Sequence, residues 1–371
     1  MELTKISNEN IDKIFQNNEC KKELTNKFKN YYFMKLIYTL LDRATSSKIL
    51  TDITKTEEVS LDLSEFIPTT ISSYILKQKY EYNKITIKIE NKTFTIIICS
   101  KYRINIEKIT YYLKLILYIC TIHSTHKETE FTFKLFLTDF PKIEPKIEVE
   151  PSHINSGFTI NHKTIVIYRK EELYKVFIHE CFHLFCLDFS NIEGINYVEM
   201  FEPLFKVKSD YLLFESFCEY WSRTVNSAIV AYHSKKNISF KEFQISFQMN
   251  INVERCFSLL QLNHFLKTMN LTYQDLIEGN ALERYKESTN GLCYYVLTGI
   301  LMYNYEQTMN WFIDNNETML NFTKDNKSIF LFFHYIKLIY DNKQFISFLE
   351  KINTIPINNM YMSAFEIELF S

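Results

Sequence analysis

The sequence predicts an α+β fold, a small mixed sheet flanked by helical lobes at both ends. Three observations predict it. Apolar residues recur near helical spacing in the first eighty residues and again from residue 210 onward. Between these regions, short runs rich in Ile, Val and Phe alternate with period two, as in Ile85-Thr86-Ile87-Lys88-Ile89. No internal repeat at a solenoid period points to another architecture. With 371 residues, 46% apolar and 23% charged, the chain can bury a substantial core and has an ordinary globular balance.

The elements follow in chain order. Residues 23–50 carry Phe28, Tyr32, Leu36, Tyr38 and Leu41 near helical spacing and read as a long helix. A second helix is expected after Pro68. Residues 85–89 and 94–99 read as two strands of a hairpin, joined at Asn91-Lys92. Residues 104–122 read as a helix and 131–137 as a strand. Pro141, Pro145 and Pro151 mark an extended crossing. The run Thr164-Ile165-Val166-Ile167-Tyr168 is another strand, leading through Glu171-Glu172 into a helix whose first turn suits acidic residues. Residues 190–210 look irregular. Beyond them, helices are expected near 211–232, 240–269, 293–315, 329–341 and 345–351. The chain is thus divided into a helical region 1–80, a core 81–232 and a helical lobe 233–371.

Composition narrows the function classes. The net charge is −2 and no Lys/Arg block stands out, so an electrostatic footprint for nucleic acid is missing. Phe (32) and Tyr (25) are abundant alongside Ile, Asn and Lys, a bias of AT-rich genomes rather than a base-stacking platform. Residues 1–12 are too polar and acidic for a signal peptide, and the most apolar stretch, 111–122, is interrupted by Lys114 and too short to span a bilayer. The eight cysteines, Cys20, Cys99, Cys120, Cys181, Cys186, Cys218, Cys256 and Cys293, form no Cys-x-x-Cys pair and read as reduced core thiols. A cytoplasmic protein, away from membrane and nucleic acid, is the expectation.

The chemistry is concentrated in His179-Glu180-Cys181-Phe182-His183. Two histidines four apart on a helix leave the same face one turn apart, a separation suited to two ligands of one tetrahedral Zn²⁺. Glu180 can reach a water at the metal without ligating it, as a general base must. The alternative buries both histidines as hydrogen-bonded core residues. A third ligand is needed. Glu215 and Glu219, again four apart amid apolar residues, would share one buried helical face, which is costly without a cation or strong donors. Glu215 is assigned as third ligand, with Glu219 accepting the free ring N–H of a ligand histidine. In the competing reading these carboxylates face solvent or pair with Arg223. Glu202 is a rival ligand, disfavoured by Pro203 beside it. Asp188, about 140° round the helix from His183, should point away. Phe189 stands where a metzincin would need its third histidine, and Gly is missing at Cys186.

At these residues the sequence resembles the gluzincin branch of the zincin metallopeptidases, which pairs His-Glu-x-x-His with a downstream Glu-x-x-x-Asp or Glu-x-x-x-Glu helix. Residues 165–183 look like that family's edge strand entering its active-site helix. Tyr168 to Glu172 with Ile178-His179-Glu180 also resemble uncharacterised metallopeptidase-like proteins of large DNA viruses, which implies a host cytoplasm or a virion. The resemblance covers residues 131–223. It departs at Glu219, where Asp is commoner, and in the longer linker to Glu215. It implies a zincin-like core, zinc-assisted hydrolysis of peptide bonds, proton transfer by Glu180, and an extended peptide held along strand 164–168. An oxyanion donor would complete the set. Tyr294 and Tyr295, after the loop Glu287-Ser288-Thr289-Asn290-Gly291, are the candidates, with His264, His233, Arg169 and Arg223 as alternatives. Asn155-Ser156-Gly157 is a candidate cleft-lining turn. The other class of function left open is a catalytically silent, zinc-stabilised structural or interaction protein, which would have no need of Glu180.

Overall fold

The computed structural model describes residues 1–56 and 66–370. The N-terminal helices are α1 (Lys5–Gln16), α2 (Asn18–Glu23) and α3 (Tyr31–Ser46). The expected long helix over 23–50 is therefore broken. Side chains of a distant helix hold the break: Asn252 Nδ2 donates to the carbonyls of Leu24 (3.2 Å) and Asn26 (2.8 Å), and Gln248 Nε2 to that of Phe28 (3.0 Å). Tertiary hydrogen bonds override local helical periodicity there. By Leu50 the chain has become a strand, β1 (Leu50–Thr56), whose polar, exposed residues gave no alternating pattern.

The helix expected after Pro68 is α4 (Thr69–Leu76). The hairpin is β2 (Glu81–Ile89) and β3 (Lys92–Ser100), closed by a two-residue turn with Glu90 at φ 54° and Ile89 opposite Lys92. Next come α5 (Ile106–His123), β4 (Glu130–Leu137), the single turn α6 (Pro151–Ile154), β5 (Gly157–Ile160), β6 (Thr164–Ile167) and α7 (Leu173–Leu184). Helices complete the chain: α8 (Tyr197–Phe205), α9 (Leu213–Tyr232), α10 (Phe240–Thr268), α11 (Tyr273–Glu278), a π-helical segment at Leu292–Leu297 running into α12 (Thr298–Tyr303), then α13 (Tyr305–Asn315), α14 (Asn326–Ile339) and α15 (Lys343–Ile352). The architecture is mixed α+β, with a six-stranded mixed sheet and helical flanks.

The sheet order is β1-β2-β3-β4-β6-β5. β3, β4 and β6 run parallel, and the pairs at both edges are antiparallel. The outer strand beside α7 is thus β5, and the strand at 164–168, expected at the edge, lies inside between β4 and β5. Its Ile165 and Ile167 are fully buried, as an inner parallel strand requires. One face of the sheet packs on α5 and α7. One apolar core runs from Ile37 through Ile98 and Phe177 to Phe247 and Phe312, joining both helical flanks to the sheet. Among the described residues no helix is long and apolar enough to cross a membrane.

Candidate metal centre

α7 is an apolar helix buried on nearly every side, with Val176, Phe177, Ile178, Cys181 and Phe182 packed into the core. His179 and His183 leave it toward α9, which packs against it and brings Glu215 to the same point. Three atoms converge. His179 Nε2 lies 3.2 Å from His183 Nε2, 3.1 Å separates His179 Nε2 from Glu215 Oε2, and 3.5 Å separates His183 Nε2 from that oxygen. A tetrahedral zinc with ligands at 2.0–2.1 Å has edges of about 3.3–3.4 Å, so the three atoms form one face of such a tetrahedron. Glu215 Oε2 is buried with no hydrogen-bond donor among the described residues, and an unpaired buried carboxylate oxygen is costly without a cation. The donor set, two imidazoles and one carboxylate, is zinc chemistry, and the residues fit the ion.

The outward nitrogens of both histidines face carboxylates. His183 Nδ1 lies 2.6 Å from Asp188 Oδ2. His179 Nδ1 lies 3.0 Å from Glu219 Oε1, though off the line of a straight hydrogen bond. Such contacts select the tautomer that turns the Nε2 lone pairs inward. Glu219 serves two readings at once, because Arg223 Nε also donates to its Oε2 at 3.3 Å and the buried Lys175 ammonium to its Oε1. Burial works against the charge on Glu215, yet the imidazoles, His183 foremost, bring its carboxyl down to about 2. Burial likewise opposes charge on Glu219, and Lys175, His179 and Arg223 hold its carboxyl below the usual range. Burial disfavours both imidazolium forms, but the surrounding carboxylates, with the Cys218 sulfur beside His183, raise both histidines. The cluster draws positive charge to this point.

Asp188 corrects the expectation that it points away. α7 stops at Leu184 in a Schellman turn: Leu187 N–H donates to the Phe182 carbonyl (2.8 Å), Cys186 N–H to that of His183 (3.1 Å), and Cys186 takes φ 50°. The turn swings Asp188 back beneath His183. A helical projection carried past Leu184 misses this, and the usual signal, Gly at the left-handed position, is replaced by Cys186.

Glu180 lines the cleft with the two histidines, Glu215 and Tyr294. Burial pushes its carboxyl up. The Thr159 hydroxyl donates to Glu180, its oxygen 2.9 Å from the carboxylate Oε2 and 3.1 Å from the main-chain carbonyl. Thr159 belongs to β5, a four-residue strand too short to show in the sequence. The cleft has a volume of about 470 Å³ and is bounded by β5, α7, α9 and the loop before the π-helical segment. From that loop Asn290 Nδ2 donates to Glu215 Oε1 at 3.4 Å.

Of the two candidate tyrosines, only Tyr294 reaches the cleft, its ring 6.0 Å from that of His179 and its carbonyl held by Arg223 Nη2 at 3.0 Å. Tyr295 points into the core. Its hydroxyl donates to the Met360 carbonyl at 2.7 Å and its ring stacks on Phe265 at 4.8 Å. Of the alternatives, Arg169 is buried and donates to the carbonyls of Phe140, Ser152 and Asn155. His233 bonds Tyr111, His264 faces Glu144, and Arg223 lies behind Glu219. Glu202 lines a separate depression with Ser209 and Glu287 and contributes nothing to the converging atoms. Asn155 and Gly157 do line the cleft. Compared with known proteins, the chain matches no family model, no curated protein and no solved structure.

Proposed function

We propose that this chain is a zinc-dependent metallopeptidase of gluzincin type, with a zincin-like core and Glu180 as general base. The observation that carries the reading is three donor atoms 3.1–3.5 Å apart on the wall of a cleft that also holds a glutamate outside the donor set. A purely structural zinc site would have no use for that glutamate. His179, His183 and Glu215 would hold the ion, with Asp188 and Glu219 fixing the imidazoles. Zinc, when bound, polarises a scissile carbonyl and makes a water nucleophilic at neutral pH. Thr159 restrains one Glu180 carboxylate oxygen, and the carboxylate takes the proton of the attacking water and returns it to the leaving amine. The Tyr294 phenol donates to the carbonyl oxygen as negative charge builds there. Among the described residues no strand pairs with the outer side of β5, and its main-chain groups are offered to an extended peptide. The eight free thiols suit a reducing compartment such as a cytoplasm, that of a host cell if the chain is viral.

Metal analysis and peptide cleavage test the reading together. The purified protein is expected to carry one zinc, and the double variant His179→Ala, His183→Ala none. Glu180→Gln should retain zinc and lose at least about 10²-fold in cleavage rate of a mixed peptide library read by mass spectrometry. Full zinc retention in the double variant, or equal cleavage by wild type and Glu180→Gln, would sink the proposal.

A further inference from the structure

A smaller recess adjoins the cleft and shares Asn155, Gly157, His179, Glu180 and Tyr294 with it. Its volume is about 30 Å³, room for a group the size of a water or a methyl. Ile154, Val176 and Met362, all buried, give it apolar walls. The walls are not free to retreat. Arg169 clamps the carbonyls of Ser152 and Asn155 on either side of Ile154. A Cβ added at Gly157 would stand 2.9 Å from the Val166 carbonyl oxygen and 3.3 Å from Val176 Cγ1. The main-chain N–H of Met362 is tied to Glu172 at 2.8 Å. Two ammonium groups also border the recess, but Lys142 is paired with Glu172 and Lys175 with Glu219, so neither offers an unpaired cation to an acidic group. Two polar atoms of the lining residues have no hydrogen-bond partner among the described residues: His179 Nδ1, which faces the Glu219 carboxylate, and the buried Ser156 hydroxyl.

We infer that this recess is the specificity subsite, taking the side chain of a residue that flanks the scissile bond, and that it selects alanine or serine, serine first. The inference rests on the peptidase reading. A small side chain fills the space, and a serine hydroxyl supplies the partner Ser156 lacks. A neutral hydrogen bond of this kind favours serine over alanine by about 3- to 10-fold. Leucine and phenylalanine exceed the recess and should be disfavoured by about 10- to 200-fold.

The test uses the full-length, zinc-loaded protein. A peptide library varied on both sides of the cleaved bond identifies the restricted position, and kcat/KM is then measured for Ser, Ala, Leu and Phe peptides there. Ser156→Ala removes a hydroxyl with no hydrogen-bond partner among the described residues, so the fold should hold while the preference for serine over alanine disappears. Val176→Ala, widening the wall, should raise the leucine peptide about tenfold relative to alanine. The inference is overturned if wild type cleaves leucine or phenylalanine as fast as alanine, or if Ser156→Ala keeps the serine preference. Those outcomes leave the peptidase standing. No cleavage of any peptide with zinc bound would overturn the peptidase reading, and the subsite with it.

Discussion

A carboxylate behind each ligand histidine is what turns two imidazoles into a preorganised site. Asp188 sits 2.6 Å behind His183 and Glu219 3.0 Å behind His179. Asp188→Asn and Glu219→Gln keep the shape but remove the charge that favours the inward lone pair. Each should weaken zinc binding by about 10- to 100-fold, measured by competition with a chromophoric chelator. Glu202→Ala should leave that affinity unchanged. If Asp188→Asn bound zinc as tightly as wild type, its contact with His183 would be packing alone. Spacing made most of these residues legible: i, i+4 placed His179 over His183 and Glu215 over Glu219. Asp188 was hidden because its position depends on where a helix ends. Tyr294 and Tyr295 could not be separated, since neighbouring helical residues differ by about 100° and only the surroundings decide which faces the cleft.

At the scale of elements, the long and strongly patterned pieces were readable: the β2–β3 hairpin, α5, β4, α7, α9 and α10. The pieces that shape the cleft were not. β5 has only four residues, too few for the alternation of Phe158, Thr159 and Ile160 to stand out, and its burial does not alternate. The π-helical segment that carries Tyr294 reads as ordinary helix, because its extra residue per turn leaves no mark in composition. The end of α7 combines both difficulties, because Cys186 occupies a left-handed position that glycine fills without strain. Cys186→Gly should therefore relieve strain there and stabilise the fold by about 1 kcal/mol, seen as a higher urea midpoint with an unchanged slope. Zinc affinity should not move, since the turn and Asp188 stay in place. A lower midpoint would mean that the Cys186 side chain, 3.9 Å from His126 Nδ1, contributes more than its backbone costs.

The whole molecule is tied together by buried carboxylates that no sequence pattern announced. Glu172, at the entry to α7, accepts the main-chain N–H groups of Met362 and Ser363, and Glu254 on α10 accepts that of Ala364. Glu366 joins three distant segments: its carboxylate accepts from Glu172 N–H (2.9 Å) and the Thr4 hydroxyl (2.9 Å), and its own N–H donates to Ser7 (2.8 Å). The C-terminal segment thus closes on the N-terminus and on the helix of the metal centre, and Met362 lines the recess beside Glu180. Burial raises the Glu366 carboxyl from 4.5 to about 7, despite the donors around it. A carboxyl whose pKa is raised by folding holds its proton longer in the folded state, so its contribution is fully present below pH 4.5 and lost as pH rises toward 7. At 1.36 kcal/mol for each pH unit between the two values, Glu366 alone should cost roughly 3 kcal/mol across that window. Glu366→Gln has no proton to lose and keeps one acceptor for Glu172 or Thr4. Urea unfolding of both proteins from pH 5 to pH 8 isolates this contribution, because every other titrating group is common to the two. The wild type should lose stability more steeply, with the curves diverging up to about pH 7 and running parallel above it. Curves parallel throughout would show that Glu366 ionises in the folded protein as easily as in the unfolded chain.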